Sequence, residues 1–133
     1  MPVLDADQRA GPWQAELMAE DFDALRERYR TFIAERDWGQ FHDPKSLLLA
    51  LVGEVGELAE LFQWTPADEA KATCSHGERQ QRAGEQMSDV LIYLLALADS
   101  LGIDLMEAAH HKLTAAEDRF PVEQVKGRAL LKP

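Results

Sequence analysis

At 133 residues the chain has room for one domain, and a hydrophobic content of 46% is that of a globular protein rather than a disordered one. Twenty-four acidic residues against fourteen basic ones give a formal net charge of −10. That balance argues against a nucleic-acid polymer as partner, because backbone binding relies on a basic face. A small phosphorylated ligand remains compatible with it, since a metal ion can bridge carboxylates to phosphates.

The longest apolar run, Val90 to Ala98, falls far short of the roughly 20 residues a membrane helix needs. Met1 to Gly11 carries two aspartates and no apolar stretch, so no secretory signal is expected. Cys74 stands alone, which rules out an intramolecular disulfide or a cysteine-built zinc site. The expected compartment is the cytoplasm, with no membrane partner.

In chain order, residues 1–18 read as a loosely ordered segment with Gly11-Pro12 as a breaker. From Asp21 to about Arg36, the residues Phe22, Leu25, Tyr29, Phe32 and Ile33 recur at three- and four-residue steps, which predicts an amphipathic helix. The connector Asp37 to Asp43 holds two aromatics and a histidine, an odd composition for an idle loop. Asp43 and Pro44 form a cap-and-proline start for a second helix, running to about Gln63 and apolar on nearly every face. Thr65-Pro66-Ala67-Asp68 repeats that signal for a short connecting helix. Ser75 with Glu78 reads as a capping box opening a third long helix to about Ser100. Gly102 stops it, and Asp104 with Glu107 caps a fourth, which Pro121 ends.

The fold expected is therefore all-α: an α-helical domain over 19–121 with about four main helices, followed by a polar tail over 122–133. Two helices apolar nearly all round need cover on all sides, and four short helices could hardly supply it. The bundle is expected to be completed by a second copy of the chain.

Three glutamates, Glu54, Glu57 and Glu60, interrupt the apolar second helix at three-residue steps. Each such step turns by about 60° around the helix, so Glu54 and Glu57 share a face. A lone Glu-x-x-Glu is usually solvated surface. Set in a leucine-rich helix without a lysine or arginine beyond Lys45, it points instead to carboxylates that are paired or metal-bound. Gln86, Asp89 and Tyr93 form a matching stripe on the third long helix. Oxygen ligands from both helices would favour a hard cation, magnesium, with manganese as the alternative.

Residues 34–64, AERDWGQFHDPKSLLLALVGEVGELAELFQW, together with Asp89-Val-Leu-Ile-Tyr-Leu94 and the closing Lys112 and Arg119-Phe120-Pro121, resemble the MazG-like all-α nucleoside triphosphate pyrophosphatases. Within that family the resemblance is to the dCTP-pyrophosphatase-like branch, and it spans roughly residues 22–121. It implies a helical dimer or dimer of dimers that cleaves between the α and β phosphates of a nucleoside triphosphate, with dCTP or a related pyrimidine nucleotide as substrate. It also implies a magnesium site on the family's Glu-x-x-Glu and Glu-x-x-Asp pairs. Here Glu54, Glu57 and Asp89 match those ligands and are the expected catalytic residues, with Glu54 or Glu57 as general base. Gln86 stands where the family has the remaining glutamate and keeps one ligating oxygen without the charge. Trp38 and His42 match positions that contact the base, and Trp64 and Tyr93 match positions beside that pocket. Lys112 and Arg119 match basic residues suited to the phosphates. The alternative expectation is a nucleotide-binding homologue with weak or no turnover because of Gln86.

Overall fold

The computed structural model describes residues 12–129, and their side chains from residue 21. Among the described residues the chain is all-α, as expected: α1 Pro12–Glu35, a 3-10 turn at Trp38–Phe41, α2 Pro44–Glu60, α3 Ala70–Cys74, α4 Gly77–Ser100, α5 Leu105–Arg119 and α6 Val122–Val125. They fall into two compact units, one ending at Asp43 and the other beginning at Pro44.

In the first unit α1 starts at Pro12, inside the segment expected to be loosely ordered; residues 1–11 lie outside the described part. A proline at the first helical position forfeits only an amide that has no partner there, so Gly11-Pro12 marks a helix start. Phe22, Leu25, Arg26, Tyr29 and Ile33 form the less exposed stripe of α1, while Phe32 lies outside it and is 41% exposed. The helix closes on Arg36 and Asp37, whose amides donate to the carbonyls of Ile33 and Ala34. Asp37 takes the left-handed conformation (φ 51°, ψ 36°), which aspartate tolerates better than most residues.

In the second unit α2 packs on α4, and the short α3 packs on α4 as well. The inner stripe of α2 is Leu47, Leu51, Glu54, Leu58 and, just past its end, Leu61, at alternating four- and three-residue steps. On α4 the protected residues include Ala83, Gln86, Val90, Leu94, Leu95 and Leu97, with Leu95 only 1% exposed. The outer stripe of α2 (Leu48, Val52 and Val55) stays open, with Val52 58% exposed. Within a single chain α2 is thus covered on one side only, although its sequence is apolar nearly all round, whereas residues 92–99 of α4 are protected on every side.

Several boundaries differ from the sequence reading. α2 ends at Glu60, and residues 61–64 continue as turns that carry Trp64. The connecting helix begins at Ala70 rather than at Thr65. The Ser75–Glu78 capping box does not form, because His76 is the residue preceding α4, and the Ser75 hydroxyl donates back to the Ala72 carbonyl at 3.4 Å. Gly77, with φ at +64°, turns the chain between Ser75 and Glu78 and breaks the spacing a box requires.

The α4–α5 corner behaves as the sequence predicts. The amide of Ile103 donates to the Ala98 carbonyl at 2.9 Å and that of Gly102 to Asp99 at 3.2 Å, the paired bonds of a Schellman motif. Gly102 sits at φ +64°, where a Cβ would be strained. Asp104 caps α5 by accepting from the Glu107 amide at 2.9 Å. Gly102→Ala should lower the urea-denaturation midpoint by the equivalent of about 1 kcal/mol without changing the slope, and Gly102→Asn by less. Equal midpoints for all three proteins would mean that the corner does not depend on the left-handed residue.

Candidate functional site

Helix periodicity positions the carboxylates. Leu47, Leu51, Leu58 and Leu61 hold the inner stripe of α2 against the rest of its unit, and Glu54 stands in the middle of that stripe, half-buried. One turn on, Glu57 is exposed. From α4, Asp89 lies near enough for its charge to act on Glu54. Loss of solvation at the stripe, then the negative fields of Glu57 and Asp89, push the Glu54 carboxyl above its ordinary value. The two helices therefore bring Glu54, Glu57 and Asp89 into one electrostatic neighbourhood. No three of His, Cys, Asp and Glu among the described residues converge closely enough to hold a metal ion, so those side chains would have to rotate to share one.

Gln86 lies three residues before Asp89 on α4 and is half-buried. Its Oε1 is shielded from solvent and accepts no hydrogen bond, one of two such buried side-chain atoms among the described residues. An unsatisfied buried acceptor is costly. Carboxylate and amide oxygens such as those of Glu54, Glu57, Asp89 and Gln86 are the donor type that a hard divalent cation prefers. Glu85 does not stand in for the missing charge: it is exposed, and accepts from the Gln81 amide at 3.1 Å on the same helix.

The other expected residues divide between the units. In the first, Trp38 opens the 3-10 turn and is 45% exposed, while His42, half-buried, closes the turn by donating its amide to the Gly39 carbonyl. In the second, Trp64 is 88% exposed on the turn after α2. That turn is pinned by Arg79, whose Nη1 donates to Thr65 Oγ1 at 3.0 Å and to the Leu61 carbonyl at 3.5 Å, a role the sequence reading missed. Tyr93 is half-buried on α4, one turn beyond Asp89. Lys112 and Arg119 are two turns apart on α5 and line one groove of about 150 Å³ with Ala115, Ala116 and Phe120. Two cations bordering a small-residue floor can receive an anion.

The raised Glu54 carboxyl gives a pH test. A carboxyl that binds its proton more tightly in the folded chain favours folding below the ordinary carboxylate range and loses that contribution as pH rises through its raised value. Glu54→Gln imitates the protonated form. In a chelator it should therefore raise Tm at neutral pH, and the gain should vanish once pH falls below the carboxylate range. A gain of the same size at every pH would point to packing instead of charge.

Residues 50–129 match the model of the MazG-like family. Bovine dCTP pyrophosphatase 1 is 48% identical over 105 residues, covering 79% of this chain and 62% of that protein. Rat dCTP pyrophosphatase 1 is 46% identical over 122 residues, covering 90% of this chain and 70% of that protein. The chain thus spans somewhat under two thirds of the bovine relative's length and slightly more than two thirds of the rat relative's. Among solved structures, that of a pyrophosphatase from Archaeoglobus fulgidus matches with a TM-score of 0.70 at 36% identity, over 76% of this chain and 93% of that one. The family match, the extent of these identities and the shared helical architecture agree: the chain belongs to the MazG-like family.

Proposed function

We propose that this protein is a divalent-metal-dependent nucleoside triphosphate pyrophosphohydrolase, with magnesium as the metal and dCTP or a related pyrimidine nucleotide as substrate. The observation that carries the reading is Glu54, a half-buried carboxylate on which the charges of Glu57 and Asp89 both act. The names of the bovine and rat relatives supply the nucleotide. No described helix is long and apolar enough to cross a membrane, and a role in the cytoplasmic nucleotide pool suits such an activity.

Glu54, Glu57, Gln86 and Asp89 would hold the metal. When bound, a divalent cation offsets the negative charge of the phosphate oxygens during transfer. Glu54 or Glu57 accepts the proton of a water attacking the α-phosphorus. The new P–O bond forms as the bond to the α–β bridging oxygen breaks, giving the monophosphate and pyrophosphate. Lys112 and Arg119 receive the negative phosphate tail. Trp38 stacks on the base and His42 reads its edge, and Trp64 and Tyr93 are the second unit's proposed nucleotide contacts.

The open outer stripe of α2, with Leu49 also 62% exposed, supports a homo-oligomer, a dimer of dimers in the fullest form. Val52→Asp should dissociate it, giving a smaller species in light scattering. A parent chain that is monomeric and well folded at micromolar concentration would sink this part of the reading.

With dCTP and Mg²⁺ the protein should release pyrophosphate, and Glu57→Ala should abolish that release while leaving helicity unchanged by circular dichroism. Pyrophosphate release at the parent's rate from Glu57→Ala would remove the carboxylate site.

Gln86 decides how demanding the metal site is. Two unit charges about 4 Å apart interact by roughly 4 kcal/mol at an effective dielectric near 20, and a third of that already changes affinity about tenfold. Gln86→Glu should therefore lower the Mg²⁺ concentration needed for half-maximal pyrophosphate release and leave the choice of nucleotide unchanged. The same comparison separates an enzyme from a binding homologue: a parent that binds dCTP without hydrolysing it, and gains hydrolysis as Gln86→Glu, would be the latter.

A further inference from the structure

We infer that Phe32 is a positioning residue that holds Trp38 in the orientation needed to stack on a nucleotide base; the inference rests on the proposed role of Trp38. The 3-10 turn carrying Trp38 has no buried residue, so core packing does not fix its indole. Contacts from the end of α1 do. The rings of Phe32 and Trp38 meet edge to face, with centroids 5.6 Å apart and planes at 79°. This geometry matches the aromatic quadrupoles and favours one indole orientation over its neighbours.

Phe32 is itself held. The Arg36 guanidinium lies 3.8 Å from its ring centroid, and Arg36 Nη1 donates to the Phe32 carbonyl at 3.0 Å and lies 3.6 Å from the Glu35 carboxylate. The backbone between the two rings is fixed too: Gln40 Nε2 donates to the Asp37 carbonyl at 2.9 Å and to its Oδ2 at 3.2 Å, across the left-handed Asp37. Phe32 gives little to the inner stripe of α1, which Phe22, Leu25, Tyr29 and Ile33 form. A large aromatic left 41% exposed there is accounted for by what it touches, the indole and the guanidinium. Fixing the indole before binding spares the ordering entropy that a base would otherwise have to offset.

The test titrates the α,β-imido analogue of dCTP and, separately, inorganic tripolyphosphate, both in magnesium buffer. Phe32→Leu should weaken analogue binding by between about twofold and tenfold, the range expected for an aromatic pair, and leave tripolyphosphate binding as in the parent. Phe32→Tyr keeps the ring and should restore analogue binding. Trp38→Ala should weaken the analogue more than Phe32→Leu does, and adding Phe32→Leu to it should cost nothing further. If Trp38→Ala binds the analogue weakly while Phe32→Leu binds like the parent, the positioning role is overturned and the role of Trp38 stands. If Trp38→Ala binds like the parent, the stacking role itself fails. Equal losses for analogue and tripolyphosphate in Phe32→Leu would show general damage and would also overturn the inference.

Discussion

One carboxylate in a row of leucines sets the terms for the second unit. Glu54 takes a position on α2 that the stripe Leu47, Leu51, Leu58 and Leu61 would otherwise give to an aliphatic side chain. Helix pairing removes part of its solvation, and the charges nearest to it, Glu57 and Asp89, are of the same sign. Desolvation and like-charge repulsion both favour the protonated form. An aliphatic residue there would fold more easily, so the pairing of α2 with α4 holds a group whose charge it opposes. A divalent cation among these oxygens would reverse the sign of the local field.

Gln86 shows the same tension without the charge. An amide carbonyl closed off from water and lacking a donor is expensive. Glu54 on α2 and Gln86 on α4 are thus half-buried polar groups on paired helices whose buried residues, among them Leu47 on α2 and Ala83 and Leu95 on α4, are apolar.

The aromatic residues are held by short-range contacts instead. Trp38 depends on Phe32, Arg36, Asp37 and Gln40, all within six residues of it. Trp64 rides on a turn fastened by Arg79 from the first turns of α4. Both indoles remain open to solvent on backbones that are locally fixed. Such an arrangement suits recognition of a flat ligand, because the contact area is offered with little left to order.

The sequence by itself determined the four long helices and their order, the α4–α5 corner and the positions of the acidic residues, but not the short α6 within the tail. Each follows from neighbours along the chain: apolar spacing, Pro44 at a helix start, Gly102 at a left-handed position, Asp104 three residues before Glu107. Where reading by neighbours failed, a backbone angle or a distant partner intervened. Gly77 turned the chain and cancelled the Ser75 box, and a proline taken as a breaker at residue 12 proved to open α1. Tertiary structure alone decided which face of α2 meets α4, and hence that Glu54 is half-buried while Glu57 is exposed, though both lie on the same side of the helix by spacing. It also decided that Gln86 would have an orphaned oxygen. Periodicity gives the angle of each side chain around its own axis, whereas the identity of what lies across from it depends on residues tens of positions away.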